Sequence, residues 1–330
     1  MFNYQNFDEV FAFDAQCAYD EHTVSEIIEN RKVLEGSLFI DRVMKMLGIV
    51  RLTAMSYKLI AIAIAPKYFP PKDNKALRTL HKNVVESSGA DHHKLSVLYY
   101  LLLIFDSSTS QRAYSTALEQ KSFLPPSYVL YMKGLWHLDR QEFELALQYL
   151  THPSLIPTFA DEILEVLVRK SKGNLTLALA YYHTVQPALT SGAAIECLFS
   201  ALARTSVTEA FYFSRGQPQH AKRRMFELLI SLVLNNSSKD TIADRSVELV
   251  SLPLTAEEDE WLEDYVLRGE GRLLKKSKDT LMMRRIGVGN FTESLSMRGI
   301  SNRVIGGLDW DTLSEGIRDG SGPRLKGGHV

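Results

Sequence analysis

Cysteine is almost missing from this chain: Cys17 and Cys197 are its only two in 330 residues. Two thiols supply no disulfide framework, no paired metal ligands and no CxxC redox motif, and they fit a reducing compartment. Cys197 lies in AAIECLFSALA, where a free thiol behaves as a small hydrophobe. Strand signals are equally scarce. Alternating β-branched runs do not recur and Asn-Gly hairpin turns are absent, so nothing specifies a sheet. Long apolar runs are lacking too. The longest, Leu95 to Phe105, is 11 residues, against about 20 needed to cross a bilayer, and is expected to form a buried helix. The N-terminus MFNYQNFDEVFAFD carries acids and lacks the basic-then-apolar layout of a secretion signal.

Catalytic signatures are missing as well. The chain holds no GxSxG, HExxH or GxxxxGK[ST] motif and no GxGxxG opening a helix after a strand. His92 and His93 are adjacent, so on a helix they point about 100° apart and cannot share a metal as an i, i+4 pair does. His137 and His183 are expected at helix ends in capping or packing roles. Asp139 and Glu142 read as polar-face carboxylates, without the apolar surroundings that separate two pKa values. No catalytic, cofactor-binding or metal-binding residue and no cofactor is therefore expected; the expected protein is not an enzyme.

What the chain does contain is helix. It is 45% hydrophobic, enough for a large core. Between Phe123 and Leu164, Pro125 and Pro126 open a helix carrying Tyr128, Tyr131, Leu135 and Leu138 on one stripe. Asp139 and Arg140 make a corner. Phe143, Ala146, Leu147 and Leu150 then recur at i, i+3, i+4 and i+7, opposite a polar face of Gln141, Glu142, Glu144 and Gln148. Gly134 and Ala146 are small residues on facing helices, which permits close backbone approach. Thr23 to Glu26, Ser206 to Glu209 and Thr255 to Glu258 have the form of capping boxes. Helices are expected near 23–47, 74–87, 92–105, 111–120, 126–138, 141–150, 158–170, 174–185, 190–203, 206–214, 218–235, 239–250 and 256–267. Short connections make neighbours antiparallel. The fold class is all-α, an irregular, solenoid-like stack of about a dozen antiparallel helices, without a fixed repeat length.

The texture changes at Glu270. Residues 1–269 are expected to form the helical domain, and 270–330 a basic, Gly/Ser-rich tail, largely extended or disordered. The tail holds 11 Lys/Arg against 7 Asp/Glu, although the whole chain has net charge -1. Its apolar islands, Leu281-Met282-Met283 and the stretch with Leu308, Trp310 and Leu313, read either as anchors that fold on a partner or as segments docking back onto the helical body. Lys275, Lys276, Lys278, Arg284 and Arg285 form the most basic window, expected as a solvated run, with a nuclear-import or phosphate-contacting role as the alternative. Lys222, Arg223 and Arg224 open another helix where the N-terminal dipole disfavours cations, which suits solvent or an acidic partner. The candidate partner-contacting residues are thus Lys222, Arg223, Arg224, Leu281, Met282, Arg284, Arg285, Leu308, Trp310 and Leu313.

A family resemblance adds to this reading. LPPSYVLYMKGLWHLDRQEFELALQYLTHPSLIPTFADEIL, preceded by HHKLSVLYYLLLIFD and followed by ALARTSVTEAFYFSRGQPQHAKRRMFELLISLVLN, resembles the helical domain of the ELYS-like nuclear pore assembly proteins, in particular their short fungal forms. The resemblance runs from about Phe7 to about Leu234. Residues 51–67, RLTAMSYKLIAIAIAPK, depart from it as an insertion. It implies a non-enzymatic scaffold at the nuclear envelope that binds the Y-shaped outer-ring nucleoporins of the nuclear pore complex. Direct DNA binding is not expected, since this sequence shows neither the β-propeller nor the DNA-contacting tail of animal relatives. The alternative is a generic helical adaptor of another coat or lid complex.

Overall fold

The computed structural model describes residues 2–11, 19–49, 69–108, 113–235, 239–290, 315, 316 and 319. Cys17, the 51–67 insertion and Leu308, Trp310 and Leu313 lie outside the described residues. Among those described there are helices and no strand. In chain order the helices are α1 (Phe7–Val10), α2 (Glu21–Val33), α3 (Phe39–Met46), α4 (Asn74–Val85), α5 (Asp91–Ser108), α6 (Tyr114–Ser122), α7 (Pro126–Asp139) and α8 (Phe143–Leu150). There follow α9 (Ala160–Lys170), α10 (Leu175–Val185), α11 (Gly192–Thr205), α12 (Val207–Arg215), α13 (Gln219–Leu234), α14 (Lys239–Val250), α15 (Ala256–Leu267), a 3₁₀ turn (Glu270–Leu273) and α16 (Ser277–Gly287). The chain divides into two compact units, one up to Ile195 and one from Glu196.

In the first unit α5 and α7 are the central helices: α5 packs against α3, α4, α6 and α7, and α7 also meets α2 and α8. Every residue from Leu95 to Phe105 is buried, so the 11-residue apolar run is a helix enclosed on all sides. No helix among the described residues is long and apolar enough to cross a membrane. The α7–α8 corner forms as the small residues require. A Cβ on Gly134 would lie 2.5 Å from Leu150 Cγ, and Ala146 is fully buried. In the second unit α13 is central, packed against α12, α14 and α15.

Two local expectations are corrected. The helix expected over 23–47 is two helices, because Glu35 and Gly36 take positive φ (60° and 89°) and end α2 before Leu38 restarts the chain in extended form. The start of α2 is capped by Asp20, whose carboxylate accepts from Thr23 N, and not by a Thr23 box. At the start of α15 the box does form: Thr255 and Glu258 exchange both hydrogen bonds. Ser206 accepts from Glu209 N. The helical body also continues past residue 269. The 3₁₀ turn packs on α15, and α16 packs on α14 and α15.

Candidate partner-contact surfaces

The corner at Asp139 is the largest departure from the sequence reading. α3 begins at a leucine, which has no side-chain oxygen to cap the free amides of a helix start. Asp139, arriving at the end of α7, supplies that cap: its carboxylate accepts from Phe39 N at 2.6 Å and Ile40 N at 3.1 Å, and from the Tyr100 hydroxyl at 2.7 Å. Beside it Asp41 accepts from Leu38 N and takes a bidentate ion pair from Arg31, both arms at 2.9 Å. Arg31 also donates to Phe69 O at 2.9 Å. All four side chains, Arg31, Asp41, Tyr100 and Asp139, are buried. Burial pushes the Asp139 carboxyl up to about 7, against the pull of its hydrogen bonds, and pushes the Tyr100 phenol well above its ordinary range. Asp139 is therefore not a polar-face carboxylate. Its perturbed acidity comes with no access from solvent, so it holds structure together. The signal that could have exposed it was Leu38 itself, an apolar residue at a helix start that must be capped from elsewhere.

On the surface of the same unit, α3, α5, α7 and the 154–158 segment enclose a groove of about 250 Å³. Val43, Met46, His93, Tyr128, Tyr131 and Ile156 line it, with Ile156 84% exposed and Met46 58% exposed. The Tyr131 hydroxyl donates to Thr158 O at 3.1 Å, which fixes one wall. His93 is held below its ordinary pKa by burial and by neighbouring His92, so it is neutral at pH 7. Both imidazoles pack on the Tyr128 ring, with centroids 4.9 and 5.6 Å away. The groove thus carries no formal charge, and it suits an apolar side chain. Among the described residues no cluster of His, Cys, Asp and Glu is arranged to hold a metal.

The cations expected to face a partner separate into two sets. Arg223 pairs with Glu227 at 2.8 Å and Asp264 at 2.5 Å, tying α13 to α15, while the exposed Arg224 reaches Glu196 at 3.1 Å. Lys222 is half-buried on the same helix start. In α16, Leu281 is buried in the core of the second unit and Met282 is half-buried. Arg284 donates to Val250 O, Leu252 O and both Asp259 oxygens, and Arg285 pairs with Glu263 at 2.5 Å. Of the two readings for this island, docking back onto the helical body is the one the structure displays. Lys275, Lys276 and Lys278 stay exposed.

Comparison with known proteins bears on the whole arrangement. Residues 37–269 match the family model described as ELYS, nuclear pore complex assembly. A fission yeast protein, "Uncharacterized protein ely5" of Schizosaccharomyces pombe, is 32% identical over 194 residues, covering 59% of this chain and 60% of its own length. The chain therefore spans less than two thirds of that relative. The matched stretch begins just before α3 and ends just after α15, so it takes in both central helices of the first unit and the α13 core of the second. On that match, across well over half of its residues, the chain belongs to the ELYS nuclear pore complex assembly family.

Proposed function

We propose that this protein is a non-enzymatic scaffold subunit of the nuclear pore complex, resident at the nuclear envelope, that binds the Y-shaped outer-ring nucleoporins and supports pore assembly and nucleocytoplasmic transport, including export of mRNA. The observation that carries this reading is the family match over 37–269, whose described residues form packed helices in each of the two units. The chemistry of the interior supports it. The strongly perturbed carboxylate and the buried guanidinium of the first unit are fully engaged in capping and ion pairing, as expected of a protein whose polar groups fix shape.

Contact with partners is assigned to side chains that remain available. Lys222 and the exposed groove residues Met46 and Ile156 are such positions, Arg224 is exposed and held only by its surface pair with Glu196, and Leu308, Trp310 and Leu313 remain candidate anchors in the tail. Arg223 is a poor probe, because a glutamate there would face Glu227 and Asp264 and disturb the fold itself. The test is proximity labelling and crosslinking of the tagged full chain in its native cells, alongside imaging. The expected result is signal at the nuclear rim and neighbours dominated by outer-ring subunits. Diffuse signal, with neighbours drawn from another coat or lid complex, would replace this reading with that of a general helical adaptor.

A further inference from the structure

We infer that the convex turn from Gly271 to Lys278 is a contact site for an anionic lipid surface. Leu273 stands 81% exposed at the tip of the 3₁₀ turn, and Arg272, Lys275, Lys276 and Lys278 around it are exposed. Among the described residues none of these four cations is engaged in an ion pair. The neighbouring arginines all are: Arg268 with Asp264, Arg284 with Asp259 and Arg285 with Glu263. Glu270 and Asp279 bracket the run and leave it net positive.

The turn is rigid. Gly271 is buried so closely against Tyr265 that a Cβ there would lie 2.6 Å from the ring. Ser277 is buried directly after Lys276, and the Thr280 hydroxyl donates to Lys276 O at 2.9 Å. Leu273 therefore points outward from a turn whose flanks, Gly271 and Ser277, are packed against the body beneath it.

The chemistry fits lipid headgroups better than the other polyanions. Three of the four cations are lysines, compact point charges on flexible stems, and not the planar forks that read a carboxylate or phosphate in fixed geometry. A single-strand nucleic acid site interleaves its cations with exposed aromatics for base stacking, and this turn has none. A single protruding aliphatic ringed by lysines suits a deformable surface, into whose headgroup layer the leucine enters while the cations stay with the phosphates.

The test is co-flotation of the purified full chain with vesicles of phosphatidylcholine alone and of phosphatidylcholine with about one quarter phosphatidylserine, an anionic lipid. Binding is expected to the anionic vesicles only and to weaken as salt rises. Each charge removed is expected to lower partitioning about fivefold, so the triple Lys275→Ala, Lys276→Ala, Lys278→Ala loses on the order of a hundredfold. Leu273→Ser is expected to lose severalfold while keeping the salt dependence. All four side chains are exposed, so helical circular dichroism should be unchanged; if the triple loses helix, Leu273→Ser and the salt series decide alone. Equal binding to neutral vesicles, or no effect of either variant, overturns the proposal. Displacement by a short polyglutamate peptide with Leu273→Ser indistinguishable from the parent also overturns it, in favour of an acidic protein partner. The assay contains no nucleoporin, so its outcome is independent of pore membership.

Discussion

In the first unit Arg31, Asp41, Tyr100 and Asp139 meet inside the core, whereas in the second unit the buried Arg284 and Arg285 and the half-buried Arg215 pair with acids of unequal exposure. Asp41 and Asp139 are almost wholly removed from water, but Asp259 and Glu263 remain more than one third exposed. Arg215 lies between the two styles: it bonds the buried Glu258 at 2.8 and 2.5 Å, lies 4.2 Å from the Phe211 ring centroid and itself still reaches the surface. Glu258 is also the capping-box acid of α15, so one carboxylate serves a helix start and an inter-helix clasp. A buried network gains its strength by exclusion of water and loses heavily when one member is removed. A marginal pair sits in a higher dielectric and can be rehydrated when broken. A lost partner is therefore expected to cost most where the charge left behind is buried, as at Asp41 and Glu258, and least where it can be rehydrated, as at Asp259 and Glu263.

The greatest loss should follow Arg31→Ala, which leaves Asp41 buried without its cation. Chemical denaturation should show the first unit destabilised by about 3–5 kcal/mol. Asp139→Asn comes next. One amide nitrogen must face either Phe39 N or Ile40 N, and at acid pH the lost bond with its unpaired donor should cost about 2–3 kcal/mol, a deficit that narrows as pH rises toward 7. The same variant tests the titration. Because the folded-state pKa of Asp139, about 7, lies above the ordinary carboxyl value of 3.8, the folded unit holds its proton longer than the unfolded chain. Its contribution to stability is fully present below pH 3.8 and is lost as pH rises toward 7, by up to about 4 kcal/mol. Denaturation midpoints measured across that range should slope downward in the parent and flatten in Asp139→Asn; a parent flat across the range would remove the buried-acid account. Gly134→Ala should cost about 1–3 kcal/mol in thermal unfolding, since its methyl overlaps Leu150. At the far end, Arg224→Ala breaks a pair of exposed side chains and should change stability by less than about 1 kcal/mol.

Much of the fold was legible because the sequence states it locally. The 3.6-residue spacing around Tyr128 to Leu150, the Thr255–Glu258 box and the short uncharged run 95–105 each depend on neighbours within one or two turns. The Leu38 start was not legible, because its cap comes from α7. The fate of the 270–287 segment was ambiguous for a related reason. Its composition is that of a solvated tail, and only the positions of Asp259, Glu263 and the carbonyls of Val250 and Leu252 decide that Arg284 and Arg285 turn inward. Once those two are taken, the remaining lysines and Leu273 stand apart from them, which no reading of the basic window as one block could reveal. Of the candidate surfaces, the cations were visible in the sequence, but the groove was not, since it is assembled from three helices and a loop.

The bond from Asp139 to the first amides of α3 joins residues 100 positions apart. During synthesis on the ribosome, α3 must leave the exit tunnel with its leading N–H groups unsatisfied, and they stay so until the chain through α7 has emerged. The start of α3 thus gains its cap only late, when α7 docks against it. In the finished protein the amide protons of Phe39 and Ile40 should be among the slowest to exchange with deuterium, released only by opening of the whole unit.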